Sequence, residues 1–287
     1  MSIPHWAQKD FLWPAPAKIN LFLHIVGRRP DGYHLLQTTF QFLDFCDQIE
    51  ISLRGDGQIR RASDLPGVPE QEDLVVRAAQ ALQKSTKSPM GAEIRVHKNL
   101  PMGGGLGGGS SDAATTLVAL NQLWQTGLDR RQLAEIGLAL GADVPIFVHG
   151  QAAWAEGVGE QFQAISPHES WYLLVIPPVS VNTGGIFSSP GLTRDCTPLK
   201  IRDFLAGVKT SNVCEPLVRE MYPEVDRVLS KLSEFGSPRM TGTGACVFLP
   251  LPSRDEAEAV LKQIPQTWQA KVCKGQNISP LYKALEE

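Results

Sequence analysis

The sequence predicts an α+β fold of two domains, and three features of the chain support this prediction. Stretches in which apolar residues alternate, as in strands, are interspersed with stretches in which they recur at helical spacing. One of the strands leads through a glycine-rich loop directly into a helix. A boundary is expected within 150–178, because Pro177-Pro178 indicates a hinge and the residues beyond it form helices that could pack on a sheet.

The alternating pattern predicts strands at 16–26, 35–45, 48–53, 92–97, 152–155, 171–176 and 268–273, and a further strand that ends at Leu249. The helical pattern predicts helices at 73–84, from the glycine-rich loop to about Gly127, and at 129–140, 216–235 and 255–264. Segments 54–71 and 182–200 are expected to be loops, and Met1–Trp13 a short extension before the fold begins.

Composition excludes several classes of protein. The chain has 287 residues, with 43% apolar and 20% charged residues, which is ordinary for a globular protein. A net charge of −3 predicts no nucleic acid or membrane partner. The five cysteines are scattered without a C-x-x-C pair, and no stretch resembles a signal peptide or a membrane span, so a cytoplasmic protein is expected. No protein-only metal site is expected from the six scattered histidines.

The glycine-rich loop is the most informative stretch. Six glycines lie between Met102 and Ser110, interrupted only by Leu106, and Ser110, Ser111 and Asp112 are residue types that cap helix N-termini. Free N–H groups and the positive end of a helix dipole would meet there. The loop is therefore predicted to bind phosphate.

The pattern of the loop leaves the kind of phosphate site open. A P-loop would require a lysine after its last glycine, and here Gly109 is followed by serine. Gly103, Gly105 and Gly108 satisfy the dinucleotide pattern G-x-G-x-x-G, as almost any spacing would in so glycine-rich a stretch. A dinucleotide fold also needs an acidic residue that closes a strand about 20 positions later, whereas Asp129 precedes a helix. A flexible linker is a further alternative, although linkers are not usually framed by a strand and a helix.

Two other polar positions have ordinary structural interpretations. Lys18 and Asn20 lie on one face of the first predicted strand, which composition alone would make a half-solvated face. Asp143 lies between a helix end and an apolar run that begins with a proline at position 145, where a turn or an N-cap is the simplest role.

Three segments, taken together, resemble the three motifs of the GHMP kinases. They are Pro16-Ala-Lys-Ile-Asn-Leu, Pro101-Met-Gly-Gly-Gly-Leu-Gly-Gly-Gly-Ser-Ser and Met240-Thr-Gly-Thr-Gly-Ala. Two more segments, Arg29-Pro-Asp-Gly-Tyr-His and Gly141-Ala-Asp-Val-Pro, are similar to the branch of the family that acts on a cytidine-diphosphate substrate. The resemblance runs from about Pro14 to the last predicted strand.

This resemblance implies a ribosomal-S5-like N-terminal domain at 1–165, a ferredoxin-like C-terminal domain at 166–287, and a cleft between them. It implies ATP-dependent phosphorylation of the 2-hydroxyl of a methylerythritol moiety carried on cytidine diphosphate, in the non-mevalonate route to isoprenoid precursors. A homoserine-type or mevalonate-type kinase of the same family is the alternative. A non-catalytic RNA-binding module, which an S5-like fold would allow, is opposed by the acidic balance.

The resemblance also implies roles for individual residues. Asp143 would accept the hydroxyl proton, and Lys18 would stabilise the carboxylate and the forming alkoxide. The ATP phosphates would be bound, with Mg²⁺ supplying charge, by Lys98, Pro101, Met102, Gly103, Gly104, Gly105, Leu106, Gly107, Gly108, Gly109, Ser110 and Ser111. The hydroxyl of Ser111 is expected near the metal ion, unless it caps the helix.

For the substrate, the resemblance implies that Tyr33 and Phe187 sandwich the pyrimidine ring and that His34 uses its donor and acceptor on the cytosine edge. Asn20 would bind near the reacting hydroxyl, and Thr183 lies in the same segment as Phe187. Packing of the loops against the core is the alternative role for the two aromatic residues. The substrate is a small molecule, and no protein partner is implied.

Overall fold

The computed structural model describes residues 4–8 and 10–286. Its strands are β1 (Leu12–Arg28), β2 (His34–Arg54), β3 (Ile59–Arg61), β4 (Gly91–His97), β5 (Ala153–Glu156), β6 (Gln161–Ala164), β7 (Trp171–Ile176), β8 (Arg239–Met240), β9 (Val247–Leu251) and β10 (Gln269–Gln276). Its α-helices are α1 (Leu74–Thr86), α2 (Gly108–Leu123), α3 (Arg130–Leu138), α4 (Val144–His149), α5 (Thr183–Ser188), α6 (Ile201–Leu205), α7 (Glu215–Met221), α8 (Pro223–Leu232), α9 (Arg254–Leu261) and α10 (Pro280–Glu286). Short 3₁₀ turns occur at His5–Ala7 and Glu70–Glu72.

One mixed sheet runs through the molecule in the order β3-β4-β2-β10-β7-β9-β8. Strand β2 also pairs with β1 along most of its length and with β5, which in turn pairs with β6. All of these pairings are antiparallel except that of β3 with β4. The predicted α+β class is therefore confirmed, and residues 4–8 and 10–286 do not form the parallel, doubly wound sheet that a dinucleotide-binding enzyme would need.

The apolar side chains are buried in three clusters. The first lies between the sheet and helices α1, α2 and α4, and contains Trp13 and Phe147. The second lies among β7, β9, α8 and α9 and contains Val175 and Leu229. The third, which contains Ile19 and Leu106, lies where β1 and the glycine loop meet β7 and β9. Each half of the chain therefore has its own core, as the compositional boundary near 150–178 suggests.

Two segments cross from one half to the other. Leu23 and Ile25 of β1 belong to the second cluster, and Leu281 and Tyr282 of α10 return to the first. The domain boundary at 165/166 remains a prediction. In each of these two segments, residues from one side of that boundary pack in the core formed mainly by the other side. Within residues 4–8 and 10–286, no helix combines the length and the apolar composition needed to cross a membrane.

Several elements differ from the sequence-based expectations. The two strands expected at 35–45 and 48–53 are one strand, β2. The two residues between them, Cys46 and Asp47, stay paired in register with β1 and so continue the strand. The helix expected at 216–235 is divided into α7 and α8, since Pro223 lacks the N–H that a continuous helix requires. The loop expected at 182–200 contains α5, capped by Asn182, whose side chain accepts from Gly185 N.

The N-terminal extension was also predicted too long. Trp13 is almost fully buried in the first cluster and belongs to β1, so the fold begins before Pro14. Met1 to Ile3 and Lys9 lie outside the described residues. The strand β6 and the helix α10 were not predicted, because neither has a strong apolar period of its own.

Candidate active site

The glycine loop connects β4 to α2, as predicted, and the helix begins earlier than expected. Its N-cap is Gly107, with a φ of 74°, and the helix starts at Gly108. The expected caps Ser110, Ser111 and Asp112 therefore lie inside the first turns, and this expectation was wrong. The first bond of the helix runs from Ser111 N to Gly107 O, at 2.8 Å. The N–H groups of the residues before Ser111 have no intrahelical partner and are available to an anion.

The second glycine turn, at 240–245, lies directly against this loop. Cys246 N donates to Gly104 O at 3.1 Å, and the Thr241 hydroxyl contacts Gly105 O at 3.3 Å. A Cβ on Gly105 would come within 2.4 Å of Thr241 O, and Gly105 has a φ of 78°. Only glycine fits at this position. The first and third motifs of the resemblance also meet, because Asn20 N donates to the Thr241 hydroxyl at 2.9 Å.

A cavity of about 430 Å³ opens over the loop. Apolar side chains of Leu65, Val68 and Leu74 form its far wall. The predicted ATP residues that line it are Lys98, Pro101, Met102, Gly103, Gly104, Gly105, Gly107, Gly108, Gly109 and Ser110. Leu106 and Ser111 are buried and do not line it. Among the residues that the structure describes, the buried Ser111 hydroxyl has no hydrogen-bond partner, and Ser110 is the serine of this pair that lines the cavity.

Lys18 and Asp143 meet beside the loop, although they are 125 positions apart in the sequence. Lys18 Nζ lies 3.3 Å from Asp143 Oδ2 and donates to Asn20 Oδ1 at 2.7 Å. The Lys18 side chain is 4% exposed, whereas that of Asp143 is 39% exposed. The Phe40 ring lies beneath the ammonium, with its centroid 5.2 Å from Nζ. This ammonium is therefore fixed from several sides, while the carboxylate stays open to the cleft.

The Lys18–Asp143 pair lines a second cavity, of about 410 Å³. This cavity shares Gly103, Gly105 and Ser110 with the cavity over the loop. It shares Leu36, Val158 and Phe187 with a third cavity of about 610 Å³. The three cavities therefore form one continuous cleft, with the glycine loop at one end and the acid–amine pair in the middle.

The third cavity contains the residues expected at the pyrimidine. His34 stacks on Phe187, with ring centroids 5.4 Å apart and an interplanar angle of 26°. Tyr33, which is 64% exposed, lines the same cavity. In the middle cavity, the hydroxyls of Thr183 and Thr243 lie 2.8 Å apart. The structure thus brings His34, Phe187 and Tyr33 to one end of the cleft, with His34 rather than Tyr33 stacked on Phe187.

Lys98 is bound more tightly than the sequence suggests. Its ammonium contacts Asp47 and donates to Asp112 Oδ2 at 2.9 Å. The Asp47 carboxylate also accepts from the backbone N–H groups of Asn99 and Leu100, at 2.5 Å and 2.7 Å. Burial raises the pKa of Asp112 to about 7, with Lys98 opposing the shift and Asp47 adding to it. Burial would lower the pKa of Lys98, but the Asp112 and Asp47 carboxylates outweigh it and raise that pKa. We call Asp47, Lys98 and Asp112 the sealed cluster.

Several residues at the site had no signal in the sequence analysis. Asp47 was placed at a break between two strands, and its buried position beneath the loop depends on contacts about 50 residues away. Arg194 lies in a segment expected to be a loop, and it lines the third cavity. Asn212 holds the second glycine turn by donating to Met240 O and Gly242 O, at 2.9 Å and 2.7 Å. Asp47 stands between Cys46 and Gln48, so its sequence neighbours gave no sign that it is buried.

Family models of known proteins match both the N-terminal and the C-terminal half of this chain. Residues 73–151 match the family model described as GHMP kinases N terminal domain, and residues 200–270 match GHMP kinases C terminal. The chain belongs to the GHMP kinase family and is an ATP-dependent small-molecule kinase.

Particular members can be named as relatives. A protein of Nitrosococcus oceani named 4-diphosphocytidyl-2-C-methyl-D-erythritol kinase is 58% identical over 276 residues, or 96% of this chain and 98% of the relative. A crystal structure of 4-(cytidine 5′-diphospho)-2C-methyl-D-erythritol kinase matches with a TM-score of 0.82 and 28% identity, and covers 93% of this chain and 99% of that one. The mevalonate kinase of Methanococcus jannaschii matches with a TM-score of 0.69 and 15% identity, over 93% and 99% of the two chains, and so shows the fold alone.

Proposed function

We propose that this chain transfers the γ-phosphoryl group of ATP to the 2-hydroxyl of 4-diphosphocytidyl-2-C-methyl-D-erythritol, in the non-mevalonate route to isoprenoid precursors. The observation that carries the proposal is the continuous cleft, in which the Lys18–Asp143 pair lies between a phosphate-binding loop and an aromatic site. A substrate with a diphosphate between a base and a sugar alcohol fits a cleft of this shape. Identity of 58% over nearly the whole chain supports this substrate over mevalonate and homoserine.

The catalytic step is assigned to Asp143 and Lys18. The Asp143 carboxylate is exposed enough to accept a hydroxyl proton, and it lies in the cavity next to the loop. The Lys18 ammonium is positioned to stabilise the oxygen as it gains negative charge. Asn20 fixes the ammonium, and its own amide donates to the Thr38 hydroxyl at 2.9 Å. Positioning and charge neutralisation provide most of the rate enhancement in phosphoryl transfer.

The phosphates of ATP are assigned to the N–H groups at the start of α2 and to the loop from Pro101 to Ser110. The hydroxyl of Ser110 and the carboxylate of Asp143 are oxygen donors that line the middle cavity, which is the donor type that Mg²⁺ requires. The Mg²⁺ that accompanies ATP supplies positive charge to the transferring phosphoryl group. Lys98 contributes through the sealed cluster rather than as a free ammonium, since two carboxylates already contact it.

The pyrimidine is assigned to His34, Phe187 and Tyr33. Stacking on the Phe187 and Tyr33 rings would provide affinity, and the ring edge of His34 would provide selectivity. Thr183 is assigned to the substrate between the base and the reacting hydroxyl, because it lines the middle cavity. We also propose a cytoplasmic enzyme that needs no protein partner, in keeping with five cysteines that are all free thiols.

A coupled assay of ADP release tests the substrate. The enzyme, with ATP and Mg²⁺, is given 4-diphosphocytidyl-2-C-methyl-D-erythritol, homoserine or mevalonate in separate reactions. We expect turnover with the cytidylyl substrate and a rate at background with the other two. Turnover with homoserine or mevalonate and none with the cytidylyl substrate would overturn the proposal.

A further inference from the structure

We propose that Arg194 is a positioning residue that fixes His34 as a neutral imidazole with its proton on Nδ1, and that this makes the base site select cytosine over uracil. The selectivity half of the proposal rests on the function proposed above. The half that concerns the proton on His34 depends only on contacts within the chain.

Arg194 binds four acceptors around the third cavity. Its Nε lies 3.0 Å from His34 Nε2. Its two terminal nitrogens donate to the carbonyl oxygens of Leu192, Phe187 and Ser189, at distances of 2.7 to 3.0 Å. The guanidinium therefore joins the first residue of β2 to the last turn of α5 and the segment that follows it. It also holds both members of the His34–Phe187 stack, one by its ring and the other by its backbone.

The contact with Arg194 leaves His34 only one arrangement of its proton. A guanidinium has only donors and stays charged, so the nitrogen that faces it must offer a lone pair. In a neutral imidazole the other nitrogen then carries the hydrogen, which here is Nδ1. Burial, followed by the charges of Arg194 and Arg28, lowers the pKa of His34, which favours this neutral form. The one acidic group that lines the same cavity, Asp31, is paired with Arg29 at 2.7 Å.

The contact with Arg194 limits the hydrogen bonds that the His34 ring can make to the base of a ligand. The sequence analysis allowed the ring to act as both donor and acceptor, but Nε2 is already used by Arg194. The ring can therefore offer a ligand one N–H and no lone pair. Cytosine presents an unprotonated N3, which accepts such a donor, whereas the N3 of uracil carries a hydrogen. A donor facing a donor leaves both desolvated groups unpaired, which penalises uracil.

Nitrogen-15 NMR of the histidine rings tests the first half without any ligand. The experiment compares the wild type with Arg194→Met, Arg194→Lys and the control Arg202→Met, which removes an exposed arginine of α6. We expect protonated Nδ1 and bare Nε2 at His34 in the wild type and in Arg202→Met. In Arg194→Met, the pKa of His34 should rise and the Nε2–H form should appear. Arg194→Lys, which keeps the charge and a donor, should retain the Nδ1–H form. Protonated Nε2 at His34 in the wild type would overturn the proposal.

Binding of cytidine diphosphate and uridine diphosphate tests the second half by calorimetry. We expect the wild type and Arg202→Met to bind the cytidine form at least about tenfold more tightly, and Arg194→Met to reduce this ratio to about two- to threefold. Arg194→Lys should keep the ratio even if both affinities fall, because it loses the carbonyl contacts but keeps the donor.

An unchanged ratio in Arg194→Met, with both affinities reduced, would mean that Arg194 only holds the segment after α5, and would overturn the selectivity half. Failure of the wild type to bind either nucleotide would contradict the proposed function and the selectivity with it. The NMR result on the His34 proton would stand independently of that failure, so the two can be told apart.

Discussion

The site contains two lysines next to the same glycine loop, and their surroundings differ in a way that separates chemistry from support. Lys18 contacts one carboxylate, that of Asp143, whose side chain is 39% exposed to the cleft. Lys98 contacts two, those of Asp47 and Asp112, whose side chains are 0% and 7% exposed. A carboxylate open to the cleft can exchange a proton with a ligand. The Asp47 and Asp112 carboxylates are buried and paired with Lys98, so we expect them to hold the loop in place.

The largest expected effect comes from removing the base. Asp143→Asn keeps the shape of the side chain but cannot accept a proton, so we expect kcat to fall by about a thousandfold. The affinity for ATP should fall only modestly, because the loop is untouched and Ser110 remains as an oxygen donor for Mg²⁺. Steady-state kinetics with the cytidylyl substrate measures both quantities.

Asp203→Asn is the matched control, since its carboxylate is 41% exposed and also bound to a cation, Arg202. It should leave kcat unchanged. Near-normal turnover in Asp143→Asn would remove that residue from the reaction.

The next largest effect is on the free energy of unfolding, which should respond differently to substitution of the two lysines. Lys98→Met leaves two buried carboxylates without their shared counter-ion, which should cost about 3 kcal/mol of unfolding free energy. Lys18→Met leaves the Asp143 carboxylate, which water can solvate, and the buried Asn20 Oδ1, which loses its donor, so we expect a smaller loss of about 1 kcal/mol. Urea denaturation followed by circular dichroism gives both values. Equal losses in the two variants would show that the sealed cluster is no more structural than the open pair.

The smallest effect concerns the titration of the sealed cluster. The pKa of Asp112, raised to about 7 by burial, lies above its value in the unfolded chain. The stability that this group contributes is therefore fully present below about pH 4 and is lost as the pH rises through 7. We expect wild-type protein to lose about 2 to 3 kcal/mol of unfolding free energy relative to Asp112→Asn between pH 5 and pH 8.

Urea denaturation at several pH values follows that difference for Asp112→Asn. The fully exposed Asp64 provides the control variant Asp64→Asn, whose stability should run parallel to wild type. If the difference between Asp112→Asn and wild type does not change with pH, Asp112 is ionised throughout this range in the folded protein.

The two lysines also show how far the sequence could predict the site. The glycine loop and its helix were predicted from local patterns, since a strand, a glycine loop and a helix that follow one another leave their signals in adjacent residues. Residue patterns alone made Lys18 part of a half-solvated strand and Asp143 a turn residue, and only the resemblance joined them. The face of β1 that carries Lys18 is buried because other parts of the fold cover it. The alternation of apolar and polar residues within one strand cannot predict such coverage.

Long-range polar partners were the least predictable. Asp47 and Lys98 are 51 positions apart, and Arg194 and His34 are 160 apart, and none of these pairs follows a local motif. Capping was mispredicted for a related reason. Ser110, Ser111 and Asp112 are good cap types, but a glycine with positive φ, Gly107, could start the helix three residues earlier.

The most direct test of the account is the single-turnover rate of phosphoryl transfer, measured by rapid quench with saturating ATP and cytidylyl substrate. We expect Lys18→Met to slow this step by at least about a hundredfold. The Lys98→Met variant is measured at a temperature at which it remains folded. Its rate of phosphoryl transfer should stay within about threefold of the wild-type rate, because Lys98 is not assigned a contact with the reacting atoms. Equal slowing of phosphoryl transfer by the two substitutions would contradict the assignment of the chemistry to the Lys18–Asp143 pair.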